Sequence, residues 1–302
     1  MSNKRTAIVA LIGIAVVGAF WYDGARSNAN LSAQPPSASP VTPVPSETSA
    51  PPKTPVPSET SGPSEPPVPS TYAPDPGPTA IEAMLSGELP SLTVRNDKAG
   101  LAVVTNASSI YVLVNKQRNL PSNYEPEDLV VPDVPFSFTG DSPKKQMRKE
   151  AARALEALFR AAEEDGIELK AVSGYRSYAT QKSIFESNAS KKGEEVANRT
   201  SARPGQSEHQ TGLAMDISSA GVGYALEESF GKTKEGKWLA KHAPDHGFII
   251  RYPKGEESIT GYSYEPWHVR YVGKEIAKDI TNKGETLERY FEGVEAVFRD
   301  KA

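Results

Sequence analysis

A proline-rich stretch between residues 33 and 78 most constrains how this chain can fold. It holds 16 of the 26 prolines in the 302-residue sequence and almost no large apolar side chains. Proline fixes the backbone φ angle and lacks an amide donor, so such a segment stays extended and solvated. The string TPVPSETS occurs twice, at residues 42–49 and 54–61, without a hydrophobic face for stacking. We therefore expect a disordered linker here and a folded domain over residues 79–302.

Residues 1–32 have the pattern of a membrane anchor or a signal segment. Two cations in MSNKR precede an uncharged, mostly apolar run from Thr6 to Tyr22. As a helix this run is about 26 Å long, close to the minimum for a bilayer span. A cleaved signal peptide is the alternative, with Ser27 and Ala29 as small residues at the cleavage site. Either reading predicts that the folded domain is exported, anchored to the membrane or secreted.

Composition excludes several classes of function. The formal net charge is −4, so the chain lacks the basic surface expected of a nucleic-acid-binding protein. It has no cysteine, which excludes disulfides, thiolate metal sites and a cysteine nucleophile. Nothing in the sequence predicts an oligomer, and a monomer is the simplest expectation.

Helical and strand patterns mix irregularly along the folded part. Apolar residues recur at helical spacing over residues 143–166, and helices are also predicted at 80–87, 178–193, 235–247 and 273–298. Short apolar or alternating runs predict strands at 100–105, 109–115, 167–174, 212–218, 247–252 and 267–272. Because strands and helices do not alternate as regular βαβ units, the fold class predicted is α+β.

The stretch SARPGQSEHQTGLAMDIS, residues 201–218, places a histidine and an aspartate seven positions apart. His209 lies in a polar, glycine-containing turn, and Asp216 lies in a short apolar strand. Imidazole and carboxylate are common ligands of Zn²⁺. An aspartate between Met215 and Ile217 is costly to bury without a partner, and a metal ion compensates that cost. A simple His–Asp hydrogen bond or a surface turn is the alternative interpretation.

The stretch YEPWHVRYV places Glu265 three residues before His268. A carboxylate beside a ligand histidine can take a proton from a water molecule at the metal. Together, His209, Asp216 and His268 form a set of three ligands that leaves a fourth position open, as in catalytic zinc sites. A loop glutamate and a packed histidine are the alternative for this stretch.

The stretch SGYRSYATQ places Arg176 between a predicted strand and a predicted helix. An arginine at such a sheet edge can bind a carboxylate bidentately or stabilise a developing oxyanion. A surface salt bridge is the alternative. The remaining histidines, His242 and His246, match no motif and are expected to be structural or surface residues.

Along the chain, SGYRSYATQ comes first, PGQSEHQTGLAMDI second and EPWHVRYVG third. In this order they resemble the zinc D,D- and L,D-carboxypeptidases of bacterial cell-wall metabolism, which include the vancomycin-resistance D,D-carboxypeptidase. VLVNKQRNLPSNYEPEDL, residues 112–129, is similar to the N-terminal segment of that family. The resemblance covers about residues 109–290. It implies a hedgehog/D,D-peptidase-like α+β fold, in which helices flank a small antiparallel sheet.

The resemblance also implies roles for seven residues. The zinc ligands are His209, Asp216 and His268, the general base is Glu265, and the substrate contacts are Arg176, Gln181 and Ser207. Arg176 either stabilises the oxyanion or holds the substrate's terminal carboxylate. The implied reaction removes the C-terminal D-alanine from peptidoglycan stem peptides, by L,D cleavage of tetrapeptides or D,D cleavage of pentapeptides.

Three alternatives remain at this level. A zinc endopeptidase cutting within stem peptides requires the same metal chemistry. A non-catalytic, tethered zinc- or peptide-binding module requires the ligands without the base, and the presence of Glu265 disfavours it. A serine peptidase requires a Ser-x-x-Lys motif, which SPKK at residues 142–145 satisfies. Ser142 is better explained as a helix N-cap followed by Pro143 at the first helical position.

Overall fold

The computed structural model describes residues 79–299. The expected membrane segment at residues 1–32 and the expected linker at residues 33–78 lie outside this range. Within it, no helix combines the length and the apolar character needed to cross a membrane.

The described residues form eight helices and eight short strands, apart from 3-10 turns. The helices are α1 (Ala80–Leu85), α2 (Lys149–Glu164), α3 (Tyr178–Lys192), α4 (Glu194–Thr200), α5 (Lys234–His242), α6 (Glu257–Thr260), α7 (Lys274–Lys283) and α8 (Leu287–Arg299). The strands are β1 (Val94–Asn96), β2 (Ala102–Val104), β3 (Leu129–Val130), β4 (Met147–Arg148), β5 (Lys170–Ser173), β6 (Ala214–Ser218), β7 (Phe248–Ile250) and β8 (His268–Tyr271).

The largest sheet has four antiparallel strands in the order β5-β6-β8-β7. Asp216 in the middle of β6 is paired with Ser173 on one side and with His268 on the other. An irregularity in β5 between Ala171 and Ser173 shifts the register. Neighbours directly across an antiparallel sheet point to the same face, so these three side chains form one row. Two further antiparallel pairs, β1–β2 and β3–β4, lie outside this sheet.

Two apolar cores flank the four-stranded sheet. The first contains the apolar face of α2 together with Leu239 of α5, packed against the face opposite Asp216. Its members from the four strands are Ala171, Met215, Ile217, Phe248, Val269 and Tyr271. The second core joins α1, α7 and α8 around Ile249 of β7. Helices on both faces of a small antiparallel sheet confirm the expected mixture of helices with small antiparallel sheets.

Most of the predicted elements are present near their predicted positions. Strands predicted at 167–174, 212–218, 247–252 and 267–272 correspond to β5, β6, β7 and β8. The helix predicted at 178–193 is α3, which Ser177 caps by accepting a hydrogen bond from the amide of Thr180. The helical tail is α7 and α8, separated at Gly284, whose φ of 66° ends α7 in the left-handed conformation.

Two predicted elements are wrong in part. The helix predicted from residue 143 begins only at Lys149, because residues 143–145 form a 3-10 turn and Met147 pairs in β4. In place of the strand predicted at residues 109–115, residues 109–111 form a turn and residues 112–114 lie outside any sheet, with one isolated bridge at Asn115. The apolar run does reflect burial of Val112 and Val114, but Arg270 instead of a neighbouring strand donates hydrogen bonds to the carbonyl oxygens of Ile110 and Val112.

Candidate metal centre

Two neighbouring strands and one turn bring His209, Asp216 and His268 together. His268 is the first residue of β8 and lies opposite Asp216 of β6. His209 belongs to the 3-10 turn Glu208–Thr211, which immediately precedes β6. Gly212 ends this turn with a φ of 67° and directs the chain into the strand. The fold therefore brings residues that are up to 59 positions apart in the sequence together at one buried site.

The three side chains are arranged as a metal-binding group. Asp216 Oδ2 lies 3.3 Å from His209 Nε2, and Asp216 Oδ1 lies 3.0 Å from His268 Nδ1. One ligand atom from each residue lies within 4.8 Å of the others. All three residues are buried, and the two imidazole rings pack edge to face with their centroids 4.9 Å apart. Two imidazole nitrogens and one carboxylate oxygen are donors suited to zinc.

The backbone of the SGYR stretch fixes the orientation of His209. The Nδ1 atom of His209 lies 2.8 Å from the carbonyl oxygen of Gly174, so Nε2 is the nitrogen that faces Asp216. Gly174 has no room for a side chain, because an added Cβ would lie 2.4 Å from the carbonyl oxygen of Gln146. The glycine therefore allows the close approach that holds the imidazole.

Burial and neighbouring charges set the protonation of the group. Burial lowers the pKa of His209, which keeps that ring neutral and available as a ligand. Burial disfavours the charge of Asp216, but the imidazoles of His209 and His268 hold the pKa of its carboxyl well below the usual range. Burial also opposes a charge on His268, yet its hydrogen bond to Asp216 and the nearby carboxylates of Glu208 and Glu265 raise its pKa to about 9. A bound divalent cation replaces the proton that His268 otherwise carries.

Glu265 lies beside the group, at the mouth of the site. Its Oε2 atom is 3.9 Å from His268 Nδ1, on the side of the ring that faces Asp216. The side chain is 24% exposed, so it can exchange protons with solvent. Burial raises the pKa of Glu265 to about 7, partly offset by the nearby charge of His268. The predicted general base is thus next to the predicted ligands.

Arg176 is held in a defined orientation by two neighbours. Its Nη1 donates to Gln181 Oε1 at 3.0 Å, and its Nη2 donates to Ser173 Oγ at 3.2 Å. Gln181 is itself buried, and its amide nitrogen donates to the carbonyl oxygen of Ala202 at 2.6 Å. Arg176 Nε is buried without a partner among the described residues. Ser173 belongs to the same row as Asp216, so the guanidinium lies at the edge of the centre.

Ser207 and the other residues considered from sequence have separate surroundings. Ser207 is buried just before the 3-10 turn, and within residues 79–299 its hydroxyl makes no hydrogen bond. His242 stacks on Trp238 with a ring separation of 4.6 Å. Ser142 accepts a hydrogen bond from the amide of Lys144 and caps the 3-10 turn, which agrees with its predicted capping role. Over the described range, His242 and Ser142 form no ion pair or hydrogen bond with the metal-binding group.

Glu208, the residue immediately before His209, belongs to none of the roles predicted from the sequence. Its side chain has no exposed surface and forms ion pairs with Arg251 and Arg270 at 2.8 Å and 2.6 Å. Its other oxygen lies 3.5 Å from His268 Nε2. Arg251 in the apolar run GFIIRY and Arg270 in WHVRYV could have indicated such a residue, because a buried guanidinium needs a buried acid as its partner.

The fold and the site define a metallopeptidase-type centre, with a buried His/Asp/His group beside a partly exposed glutamate. Residues 144–274 match the VanY D-alanyl-D-alanine carboxypeptidase family. YodJ of Bacillus subtilis is 57% identical over 198 residues, which are 66% of this chain and 72% of YodJ. The chain therefore belongs to the VanY family of carboxypeptidases.

Two solved structures extend this comparison. The LdcB LD-carboxypeptidase is 56% identical with a TM-score of 0.64, over 66% of this chain and 92% of that one. The vancomycin-resistance D,D-pentapeptidase VanY, solved with Zn(II), is 33% identical with a TM-score of 0.50, over 61% of this chain and 99% of that one. The predicted family and the predicted class of enzyme are confirmed.

Proposed function

We propose that this chain is a zinc carboxypeptidase that removes the C-terminal D-alanine from peptidoglycan stem peptides. The observation that carries the proposal is the convergence of three buried ligand atoms within 4.8 Å of one another, with the Glu265 carboxylate 3.9 Å from one of them. Membership of the VanY family supports the reaction type. The Zn(II) bound to the related VanY structure supports the choice of metal.

The residues present fit a catalytic zinc ion better than a structural one. His209, Asp216 and His268 supply three ligands, whereas structural zinc sites use four protein ligands. The buried carboxylate of Asp216 needs a compensating positive charge, which a divalent cation supplies. When bound, zinc lowers the pKa of a coordinated water to about 7 and polarises the scissile carbonyl.

Glu265 acts as the general base and then as the general acid. Its carboxylate accepts a proton from the attacking water and delivers that proton to the amine of the leaving D-alanine. Its partly buried position keeps it more basic than a solvated glutamate. A non-catalytic binding module would not need a carboxylate at this position.

Arg176 binds negative charge on the substrate, either the oxyanion or the terminal carboxylate. Gln181 and Ser173 hold two of its nitrogens and leave Nε without a protein partner in the described residues. Gln181 supports this orientation, in addition to its predicted contact with the substrate. Ser207, whose hydroxyl makes no hydrogen bond over the same range, contacts the substrate directly.

Tetrapeptides cut by L,D cleavage are the preferred substrates, with D,D cleavage of pentapeptides as the second candidate. The LD-carboxypeptidase LdcB shares 56% identity with this chain, against 33% for the D,D-pentapeptidase VanY. The enzyme works as a monomer outside the cytoplasm, tethered to the membrane by residues 1–32. Support for the location comes from the apolar N-terminal run and the proline-rich stretch that follows it.

The test is mass spectrometry of stem tetrapeptides and pentapeptides incubated with the full chain, with and without a zinc chelator. Loss of one D-alanine from the tetrapeptide, abolished by the chelator, supports the proposal. Loss from the pentapeptide alone assigns D,D specificity. Larger fragments identify an endopeptidase, and zinc binding without any cleavage identifies a binding module.

A further inference from the structure

A buried acid lies behind His268, on the side away from Asp216. Glu208 has no exposed side-chain surface, and its Oε1 atom accepts from Arg251 Nε at 2.8 Å and from Arg270 Nη1 at 2.6 Å. Both arginines are also completely buried. Because both donors converge on Oε1, the carboxylate cannot rotate without breaking a charged hydrogen bond.

The other oxygen of Glu208 is thereby directed at the imidazole of His268. Glu208 Oε2 lies 3.5 Å from His268 Nε2, and neither atom has a hydrogen-bond partner in the described part of the chain. This separation is longer than an ordinary hydrogen bond. A movement of a few tenths of an ångström brings the two atoms within hydrogen-bonding distance, and burial favours that movement because neither atom has another partner among the described residues.

The two arginines are fixed by partners further from the centre. Arg251 makes a bidentate pair with Glu288 of α8, at 2.7 Å and 2.8 Å. Arg270 donates to the carbonyl oxygens of Ile110 and Val112, at 3.0 Å and 2.7 Å. Two guanidinium groups and two carboxylates therefore balance in charge. Glu288 and these carbonyls lie outside the family match at residues 144–274.

We propose that Glu208 is a positioning residue for His268, and that Glu288 of α8 completes the buried charge array that holds it. The Glu208 carboxylate accepts the Nε2–H of His268. This fixes the tautomer in which the Nδ1 lone pair points toward Asp216 and His209. A carboxylate that accepts from a ligand histidine orients the ring and raises its basicity. The inference rests on the proposed zinc function, because it assigns how one ligand of that centre is held.

The variant Glu208→Gln tests the inference by reversing the polarity of one atom. The amide oxygen of the new side chain turns toward the two guanidinium groups, which leaves the NH₂ group facing His268 Nε2. That arrangement favours the Nδ1–H tautomer, which cannot bind a metal through Nδ1. We expect the zinc dissociation constant, measured by competition with a chromophoric chelator, to rise about 10- to 100-fold.

Glu150→Gln, in helix α2, is the matched control, because Glu150 also contacts β8. Glu150 accepts a hydrogen bond from Tyr271 of β8 at 2.8 Å and lies away from His268. Its loss disturbs β8 without touching the imidazole, so zinc affinity should stay within twofold of wild type. A folded Glu208→Gln protein with wild-type zinc affinity overturns the inference. So does an equal loss of affinity in both variants, since that would reflect general damage to β8.

A second measurement needs no variant and therefore does not depend on whether Glu208→Gln folds. In the full zinc-loaded wild-type chain with ¹⁵N-labelled histidine, long-range ¹H–¹⁵N spectra should show His268 coordinated through Nδ1 with a proton retained on Nε2. Coordination through Nε2 with a proton on Nδ1 overturns the inference.

Failure of the inference and failure of the proposed function give different results. If wild type neither binds zinc nor shortens stem peptides, the proposed function is wrong. If wild type does both while Glu208→Gln binds zinc equally well, only the positioning role is wrong. Glu288→Gln should weaken zinc binding by a smaller factor than Glu208→Gln, because it acts through Arg251.

Discussion

At the scale of single residues, two glutamates flank His268 in opposite environments. Glu265 is 24% exposed, and burial raises its pKa to about 7. Glu208 has no exposed side-chain surface, and although burial opposes its charge, Arg270 and Arg251 hold its pKa well below the usual range. Glu265 can therefore exchange a proton near neutrality, whereas Glu208 stays ionised and serves as a fixed acceptor.

Replacing Glu265 separates metal binding from turnover. Glu265→Gln keeps the three ligands, so we expect zinc to bind with close to wild-type stoichiometry. Removing the proton acceptor should lower kcat about 10²- to 10⁴-fold. Peptide release is measured by mass spectrometry, and bound zinc by metal analysis of the purified protein. Unchanged turnover in this variant would exclude Glu265 from proton transfer.

Replacing Arg176 tests whether the guanidinium fork matters or only its charge. Arg176→Lys retains a cation but cannot contact Gln181 and Ser173 while also presenting a third nitrogen to the substrate. We expect kcat/KM for the stem peptide to fall at least about 10-fold, with zinc affinity unchanged. Equal rates for lysine and arginine would show that a point charge suffices.

Sequence motifs predicted the three residues of the candidate metal-binding group, whereas they did not single out Glu208, the buried acid beside His268. The chain has four histidines, so two of them in motifs with nearby carboxylates form a strong pattern. Glu208 is an acid in a polar turn, and sequence alone assigns such a residue to solvent. Its burial depends on Arg251 and Arg270, which arrive from β-strand segments more than 40 positions away.

At the scale of elements, the end of β5 packs against the turn before β4 with no spare space. The amide of Gly174 donates a hydrogen bond to the carbonyl oxygen of Lys144 at 2.6 Å. The carbonyl oxygen of Gly174 is hydrogen-bonded to His209 Nδ1. An added Cβ would lie 2.4 Å from the carbonyl oxygen of Gln146. A side chain here must displace one of these contacts, and with it the orientation of the imidazole.

Gly174→Ala should therefore destabilise the domain and weaken zinc binding together. The overpacking should cost about 1–3 kcal/mol in the free energy of unfolding, measured by urea denaturation. Gly293→Ala is the control, since Gly293 is exposed in α8 and an added Cβ there would meet no atom of the described residues within 4 Å. That change should stabilise the domain by about 0.5–1 kcal/mol. Equal effects of the two substitutions would contradict the packing argument.

Strands were predicted correctly where a β-type sequence pattern also has a neighbouring strand to pair with in the fold. Strand β6 reads as a strand because it is buried on both faces between β5 and β8. Residues 109–115 show equally strong β propensity, but arginine side-chain donors from β8 occupy two of their carbonyls. A sequence pattern reports which residues are buried, and it cannot report which group supplies the hydrogen bonds.

At the scale of the whole molecule, the metal centre links β6 and β8 with the turn that precedes β6. Saturating zinc should stabilise the folded state, by about 2.7 kcal/mol at 100 times the dissociation constant. For a domain of this size that corresponds to roughly 5–10 °C in Tm. We expect a chelator to lower Tm by that amount in wild type, measured by differential scanning fluorimetry. His209→Ala should show no such response, and a chelator-insensitive wild type would argue against a buried metal.

The cross-strand row of Ser173, Asp216 and His268 has a consequence for how this protein can vary. Lengthening the connections between the sheet strands leaves the row aligned, so such loops are free to diverge among relatives. Inserting or deleting one residue within β6 or β8 turns the donor atom to the opposite side of the sheet. Hydrolysis therefore requires the correct register between β6 and β8, and a chain folded with these strands out of register is inactive.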